Sequence, residues 1–367
     1  MILTGLELEH FRNYSHLTAE FDPRVNLIYG ENAQGKTNLL EAAAYLSLAK
    51  SHRARYDREM IQLDAPEASI RGAVQSRERT FTLEARLLRG RGRQLWSNGV
   101  RLKTAGALAG ILTTVLFCPE DLYLIREGSA ARRRFLDGAI GQLRPRYAQA
   151  LAEYHRLYEH KTRILRDWPE NPSLLATLDD FNLRMAQTGA LVIHYRAHFV
   201  KRLRENAPVI HRDFSGGREE LGLEYTTVST VTDPLESPRL LLPQLLDHQA
   251  RHRQAELDAR QCLSGPHKDD LLVNVNGLAA KTYGSQGQTR TAALSLKLAQ
   301  REIFQEETGE WPVLLLDDVL SELDPRRQAF VLNRIRGGQV FITCCEEDKL
   351  EGLEGGRAFH IRNGTLV

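Results

Sequence analysis

The sequence predicts an α/β head assembled from both ends of the chain, with a mostly helical lobe inserted between them. Three observations carry this expectation. A glycine-rich string, GENAQGKT at residues 30–37, follows an apolar run near the N-terminus. A second apolar run, at residues 313–316, ends in the paired carboxylates Asp317 and Asp318 near the C-terminus. Between the two, residues 130–206 change from strand-like alternation to helical periodicity.

Residues 2–8 alternate as a strand does. Val25–Tyr29 reads as a buried strand running into the glycine string, and Lys36–Leu48, rich in Leu and Ala, as the helix that leaves it. Strands are expected at 69–75 and 80–88, a hairpin turn at Asn98-Gly99, and a last short strand at 115–117. In the helical region Ser129 is a candidate N-cap and Pro145 suits a first helical position. Trp168-Pro169-Glu170-Asn171-Pro172-Ser173 breaks the region into two long antiparallel helices, a short arm. Residues 221–231 read as extended and 243–259 as a helix. Strand 271–275 with Asn276-Gly277, and the terminal segment 361–366 with Asn363-Gly364, return to hairpins, and 290–306 is a helix. The expected division is a head of 1–117 with 264–367 and a lobe of 118–263.

Gly30, Gly35, Lys36 and Thr37 fit the P-loop spacing G-x-x-x-x-G-K-[ST]. In that loop the glycines let backbone N–H groups curl around phosphates, the lysine reaches the β- and γ-phosphates, and the threonine hydroxyl can ligate Mg²⁺. Strand, loop and helix are the required setting, so Gly30, Glu31, Asn32, Ala33, Gln34, Gly35, Lys36, Thr37 and Asn38 are the expected nucleotide contacts. Val313–Leu316 has the pattern of a buried parallel strand whose tip faces a ligand. Asp317 is placed to share a Mg²⁺ with Thr37, and Asp318 to orient or deprotonate an attacking water. Ser285-Gln286-Gly287-Gln288 precedes a helix; a serine and glycine there form either a plain N-cap or an anion-binding nest, with Ser285, Gly287 and Gln288 as contacts. Its place before the acidic strand, with Ser321-Glu322-Leu323-Asp324 after it, resembles the signature and D-loop of ABC-type ATPases.

Taken together these strings resemble the RecF family of bacterial recombination-repair ATPases, SMC-like heads without the long coiled coil. The matching blocks are Phe11-Arg12-Asn13-Tyr14, GENAQGKTNLLEA at 30–42, Ser51-His52-Arg53, Pro119-Glu120-Asp121-Leu122, residues 132–137, residues 264–270, YGSQGQTR and LLLDDVLSELD. They span almost the full length. The resemblance implies an ABC/SMC-like head that binds ATP with Mg²⁺, in which the signature serine Ser285 of one copy caps the nucleotide held by the P-loop of another. It further implies an ATP-dependent homodimer, weak DNA-dependent ATP hydrolysis, duplex and gapped DNA as ligand, RecO and RecR as partners, and help in loading RecA. Lys36, Asp317, Asp318 and Ser285 are then the catalytic residues. The chain departs from the pattern at Glu127-Gly128-Ser129-Ala130, where a proline is expected. No histidine follows the strand at 339–343, leaving Thr343 as the candidate for the switch position, and Glu120 or Asp121 stands where a Q-loop glutamine would.

The 367 residues suit two domains, and a net charge of +2 gives no argument from general basicity. Segregation of charge is more informative. Residues 85–103 contain Arg89, Arg91 and Arg93 and no acid, and 126–166 carries Arg132, Arg133, Arg134, Lys161 and Arg163; these eight are the candidate DNA contacts. The four cysteines show no paired spacing, which fits a reduced, cytoplasmic protein. No signal-peptide pattern and no membrane-length apolar run occurs in the sequence, so no membrane partner is expected. His194/His198 and His248/His252 read as surface helix histidines rather than zinc ligands. Against the DNA clamp stands one alternative, a nucleotide-switched adaptor that recruits repair proteins and touches DNA only incidentally.

Overall fold

The computed structural model describes residues 1–77, 79–335, 337–345 and 356–367. In chain order the strands are β1 (Ile2–Phe11), β2 (Tyr14–Glu20), β3 (Val25–Tyr29), β4 (Glu67–Gln75), β5 (Thr80–Leu88), β6 (Gln94–Ser97), β7 (Val100–Leu102) and β8 (Thr114–Phe117). They continue as β9 (Leu221–Thr226), β10 (Asp270–Val275), β11 (Leu278–Ala279), β12 (Val313–Leu316), β13 (Val340–Cys344), β14 (Arg357–Arg362) and β15 (Thr365–Leu366). The helices are α1 (Lys36–Leu48), α2 (Ser129–Leu143), α3 (Pro145–Asp167), α4 (Leu178–Ser215), α5 (Pro238–Ala259), α6 (Ala280–Tyr283), α7 (Gln286–Thr308) and α8 (Pro325–Arg334).

The chain forms two units, Met1–Tyr123 with Ala293–Val367 and Leu124–Ala292. In the first, an antiparallel sheet of order β2-β1-β4-β5-β6-β7 faces α1, and a second sheet runs β15-β14-β3-β13-β12-β8. Strand β3 pairs in parallel with β13 and β14, so the two chain ends interleave in one sheet, as the sequence predicts. Strands β8, β12, β13, β3 and β14 all run parallel. Their carboxyl ends therefore fall along one edge, where open α/β sheets bind ligands. Every residue of β12 and β13 is buried, the signature of a sheet covered on both faces. The core joins Leu3, Leu6 and Ile70 of the antiparallel sheet to Leu39, Leu40 and Leu46 of α1, and to Leu315 and Phe341 of the parallel sheet. Gln339, fully buried, exchanges hydrogen bonds of 2.8 Å with the Leu3 main chain in both directions.

The second unit packs α3 and α4 side by side, with α5 against α4, and carries the small sheet β11-β10-β9. It is larger than the lobe expected at 118–263. Strand β10 pairs with β9 over its whole length, which draws residues beyond 264 into the lobe, and the division falls at 292/293 instead. Strand β2 was absent from the expectation because its sequence, YSHLTAE, offers only Tyr14, Leu17 and Ala19 to the core. Helix α5 begins at Pro238 rather than 243, with Pro238 in the first-turn position where proline's missing N–H costs nothing. Helix α2 begins at Ser129, and Gly128 is its cap. The three Asn-Gly turns form as expected, with both residues of each at positive φ.

Candidate nucleotide site

The loop between β3 and α1 is held in shape by residues far from it in sequence. Gly30 and Gly35 sit at φ 144° and 121°. A Cβ on Gly35 would come within 2.7 Å of Asn13 Nδ2 and 2.9 Å of the Tyr14 hydroxyl. Those two side chains brace the loop: Asn13 Nδ2 donates to the Gln34 carbonyl at 2.8 Å and the Tyr14 hydroxyl to the Gly35 carbonyl at 2.9 Å. Asn38 Nδ2 in turn donates to Asn13 Oδ1 at 2.8 Å. The Asn363-Gly364 turn closes the other side, its N–H groups donating to Gln34 Oε1 at 2.6 Å and to the Gln34 carbonyl at 3.0 Å. Sequence pattern marks Asn363 only as a hairpin turn and the family blocks single out Asn13 and Tyr14, but only folding shows that all three brace the loop.

Lys36 is buried, and its ammonium donates to the Gly30 and Glu31 carbonyls at 2.6 and 2.8 Å, spanning the loop it follows. Thr37 Oγ1 donates to Asp317 Oδ1 at 2.9 Å, so the two expected metal ligands, 280 residues apart, meet. Strand order explains the meeting. Strand β13 lies between β3 and β12, and Thr343 near its end donates to the same Asp317 Oδ1 at 3.0 Å. Thr343 Oγ1 also accepts the Asp318 N–H at 2.7 Å, which pins the main chain of Asp318 at φ 50°. Ser321 Oγ donates to both the carbonyl and, at 3.0 Å, the carboxylate of Asp318. Burial raises the Asp317 pKa above the usual aspartate value, opposed by the hydrogen bonds from Thr37 and Thr343.

A second charged group supports α1 from beneath. Arg12 donates two parallel hydrogen bonds to the fully buried Glu41 carboxylate at 2.8 and 2.9 Å, and Ser51 Oγ donates to it as well. Burial alone would raise the Glu41 pKa, but Arg12 and Ser51 outweigh it and hold the group below the ordinary glutamate value. Asp121 is committed elsewhere, accepting from the Cys118 N–H at 3.0 Å and pairing with Lys297 at 2.8 Å, while Glu120 is exposed. Past the end of β13, Cys345 Sγ donates to Asn32 Oδ1 at 3.3 Å.

Ser285 belongs to the other unit, exposed at the N-terminus of α7. Its hydroxyl accepts the Gln288 N–H at 3.2 Å while Gln288 Oε1 accepts the Ser285 N–H at 2.9 Å, a reciprocal capping box. Gly287 sits in the first turn, where Thr291 Oγ1 donates to its carbonyl at 2.9 Å. Later in the chain, after β12, Asp324 accepts the Arg327 N–H at 3.0 Å and caps α8.

The expected DNA contacts fare unevenly. Arg132 is buried and grips Asp270 at 2.7 and 2.8 Å, and Lys161 is fully buried against Glu256 at 2.6 Å, so neither reaches solvent. The charge count of a helical segment cannot tell an inward arginine from an outward one. Arg133 donates to the Asp269 carbonyl at 2.7 Å, and Arg89 and Arg93 are bound to the main chain of neighbouring turns. Arg91, Arg134 and Arg163 are exposed. His248 is buried with Nδ1 2.8 Å from Ser264 Oγ, correcting its expected surface place, while His194 and His198 contact the Glu236 and Leu235 carbonyls. Among the described residues no three metal-ligating side chains cluster, and no helix is long and apolar enough to cross a membrane.

The family model described as the RecF/RecN/SMC N terminal domain matches residues 2–363. The chain is 40% identical to the DNA replication and repair protein RecF of Bacillus subtilis over the full length of both, and 39% identical to that of Agathobacter rectalis over 100% of this chain and 99% of the relative. The solved recombination mediator protein RecF of the RecFOR pathway, in its ATP form, superposes with a TM-score of 0.91 at 34% identity, covering 100% of this chain and 97% of that one. The Smc head domain from Pyrococcus furiosus shares the fold, with a TM-score of 0.54 at 16% identity over 100% of this chain and 95% of the other.

Proposed function

The chain belongs to the RecF family, and from that premise we propose that it is an ATP-gated clamp on DNA, acting in recombinational repair. Membership of the family brings an ABC-type ATPase fold that binds ATP and serves DNA replication and repair. The finer reading is that two copies close on nucleotide, each lending the other its Ser285.

Within one copy, the loop N–H groups and the α1 N-terminus hold the phosphates, and Lys36 leaves its loop carbonyls for the β- and γ-oxygens. Thr37 and Asp317, already 2.9 Å apart, would hold Mg²⁺, which when bound neutralises charge on the transferring phosphoryl group. Asp318 orients the attacking water, its main chain fixed by Thr343. The observation that carries the dimer is the exposed, serine-capped N-terminus of the 23-residue α7. The aligned dipole of such an end favours an anion, and a γ-phosphate supplied by a second copy fits it. Closure is then favoured because the dimer binds nucleotide better than the open form does. Duplex and gapped DNA as ligand, DNA-stimulated but slow hydrolysis, RecO and RecR as partners, and RecA loading complete the reading. Phosphate contacts position such a clamp without reading sequence.

Ser285→Arg tests it. The variant binds ATP normally and stays monomeric with ATP in light scattering; an ATP-dependent dimer that survives the substitution contradicts the sandwich. The withdrawal of Arg132 and Lys161 into the lobe is what favours the adaptor reading. ATP turnover measured with and without duplex separates the two, since only the clamp is stimulated.

A further inference from the structure

Two arginines of the turn between β5 and β6 hold that turn down. Arg89 donates to the Gln62, Leu63 and Ala65 carbonyls at 2.9, 2.7 and 2.8 Å. Arg93 donates to the Ala49 carbonyl and pairs with Asp57 at 3.1 Å. All these anchors lie on the segment after α1, at 49–65. Arg91, between the two, is exposed, with no side-chain hydrogen bond or ion pair among the described residues.

The anchored segment carries its own cations. The guanidinium carbons of Arg55 and Arg58 lie 5.3 and 4.9 Å from the centroid of the Tyr56 ring, which is itself 48% exposed. One phenol thus mounts two guanidiniums, restricting side chains that would otherwise be mobile. Of the carboxylates on this segment, Asp57 pairs with Arg93 and Glu59 accepts the Arg55 N–H at 3.0 Å, while Asp64 is exposed.

We propose that Arg55, Tyr56, Arg58 and Arg91 form a binding rim for the phosphate backbone of duplex nucleic acid, a site of which the charge pattern singled out Arg91 alone. The proposal rests on the DNA-binding reading above. A backbone with closely repeated phosphates meets several guanidinium forks at once and gains by counterion release. The side chains stand exposed on turns, which suits such a polyanion better than an acidic peptide needing a groove for its apolar residues.

The test is a salt titration of the full chain on labelled duplex, comparing wild type with the triple variant Arg55→Ala, Arg58→Ala, Arg91→Ala, with ATP affinity measured alongside. The triple variant keeps its ATP affinity, loses about tenfold in duplex affinity, and shows a log–log salt slope shallower by about 2.7, or about 0.9 per phosphate contact. Tyr56→Leu weakens binding and Tyr56→Phe restores it. Should the triple variant lose ATP affinity, Arg91→Glu, at a side chain with no hydrogen bond or ion pair among the described residues, repeats the comparison and again weakens the duplex complex. An unchanged slope overturns the rim while leaving DNA binding by the chain intact. No duplex binding by wild type overturns both. Loss of a synthetic polyglutamate peptide with duplex affinity retained overturns it in favour of an acidic protein partner.

Discussion

Asp317 concentrates the electrostatic tension of the nucleotide site. Its carboxylate is buried beside Thr37 and Thr343, and burial lifts its pKa above the ordinary value of about 3.9. The folded chain without a cation therefore holds that proton more tightly than the unfolded chain. The stability this contributes is full below about pH 3.9 and is lost as pH rises through the raised value. Metal and nucleotide, which want the carboxylate ionised, run the other way. Mg²⁺-ATP affinity, measured by calorimetry from about pH 4 to 8, rises with pH through the raised value. Asp317→Asn flattens that rise; an identical profile in the variant assigns the dependence to another group. Glu41 has the opposite sign. Its pKa is held down, so its contribution is present above about 4.3 and lost as pH falls. Arg12→Ala strands a buried carboxylate and costs on the order of 3 kcal/mol, read as a lower midpoint in urea. Residue types and spacing made the meeting of Thr37 with Asp317 legible in advance. Arg12, Glu41 and Ser51 were not, because a buried ion pair leaves no periodic trace in sequence.

At the level of elements, the P-loop is only as rigid as what surrounds it. The turn between β1 and β2 supplies Asn13 and Tyr14, and the turn between β14 and β15 supplies the N–H groups of Asn363 and Gly364. Asn13→Ala removes one donor to the Gln34 carbonyl and the acceptor for Asn38. The expected result is weaker ATP affinity, by about fivefold for a net hydrogen-bond loss of roughly 1 kcal/mol, with little change in melting temperature. An unchanged affinity would show that the loop keeps its shape without the brace. Strand–loop–helix around GENAQGKT, the buried acidic strand and the Asn-Gly hairpins were legible because each is set by local chemistry. The lobe boundary depends on pairing between β9 and β10, and the inward turn of Arg132 on α2 and Lys161 on α3 depends on Asp270 of β10 and Glu256 of α5. No short window of sequence contains those partners.

For the whole molecule, the separation of Thr37 from Asp317 along the chain is resolved by interleaving the two ends in one parallel sheet. That architecture could be foreseen, since a loop and an acidic strand serving one site must meet however much chain intervenes. What the proposal adds is a second copy, so the most direct test mixes two defects. Lys36→Ala removes nucleotide binding but leaves Ser285 intact, and Ser285→Arg does the reverse. Each is inactive alone. Mixed in equal amounts with ATP and duplex, they form dimers with one intact composite site, and ATP hydrolysis reappears. A mixture as inactive as its components would contradict the shared site.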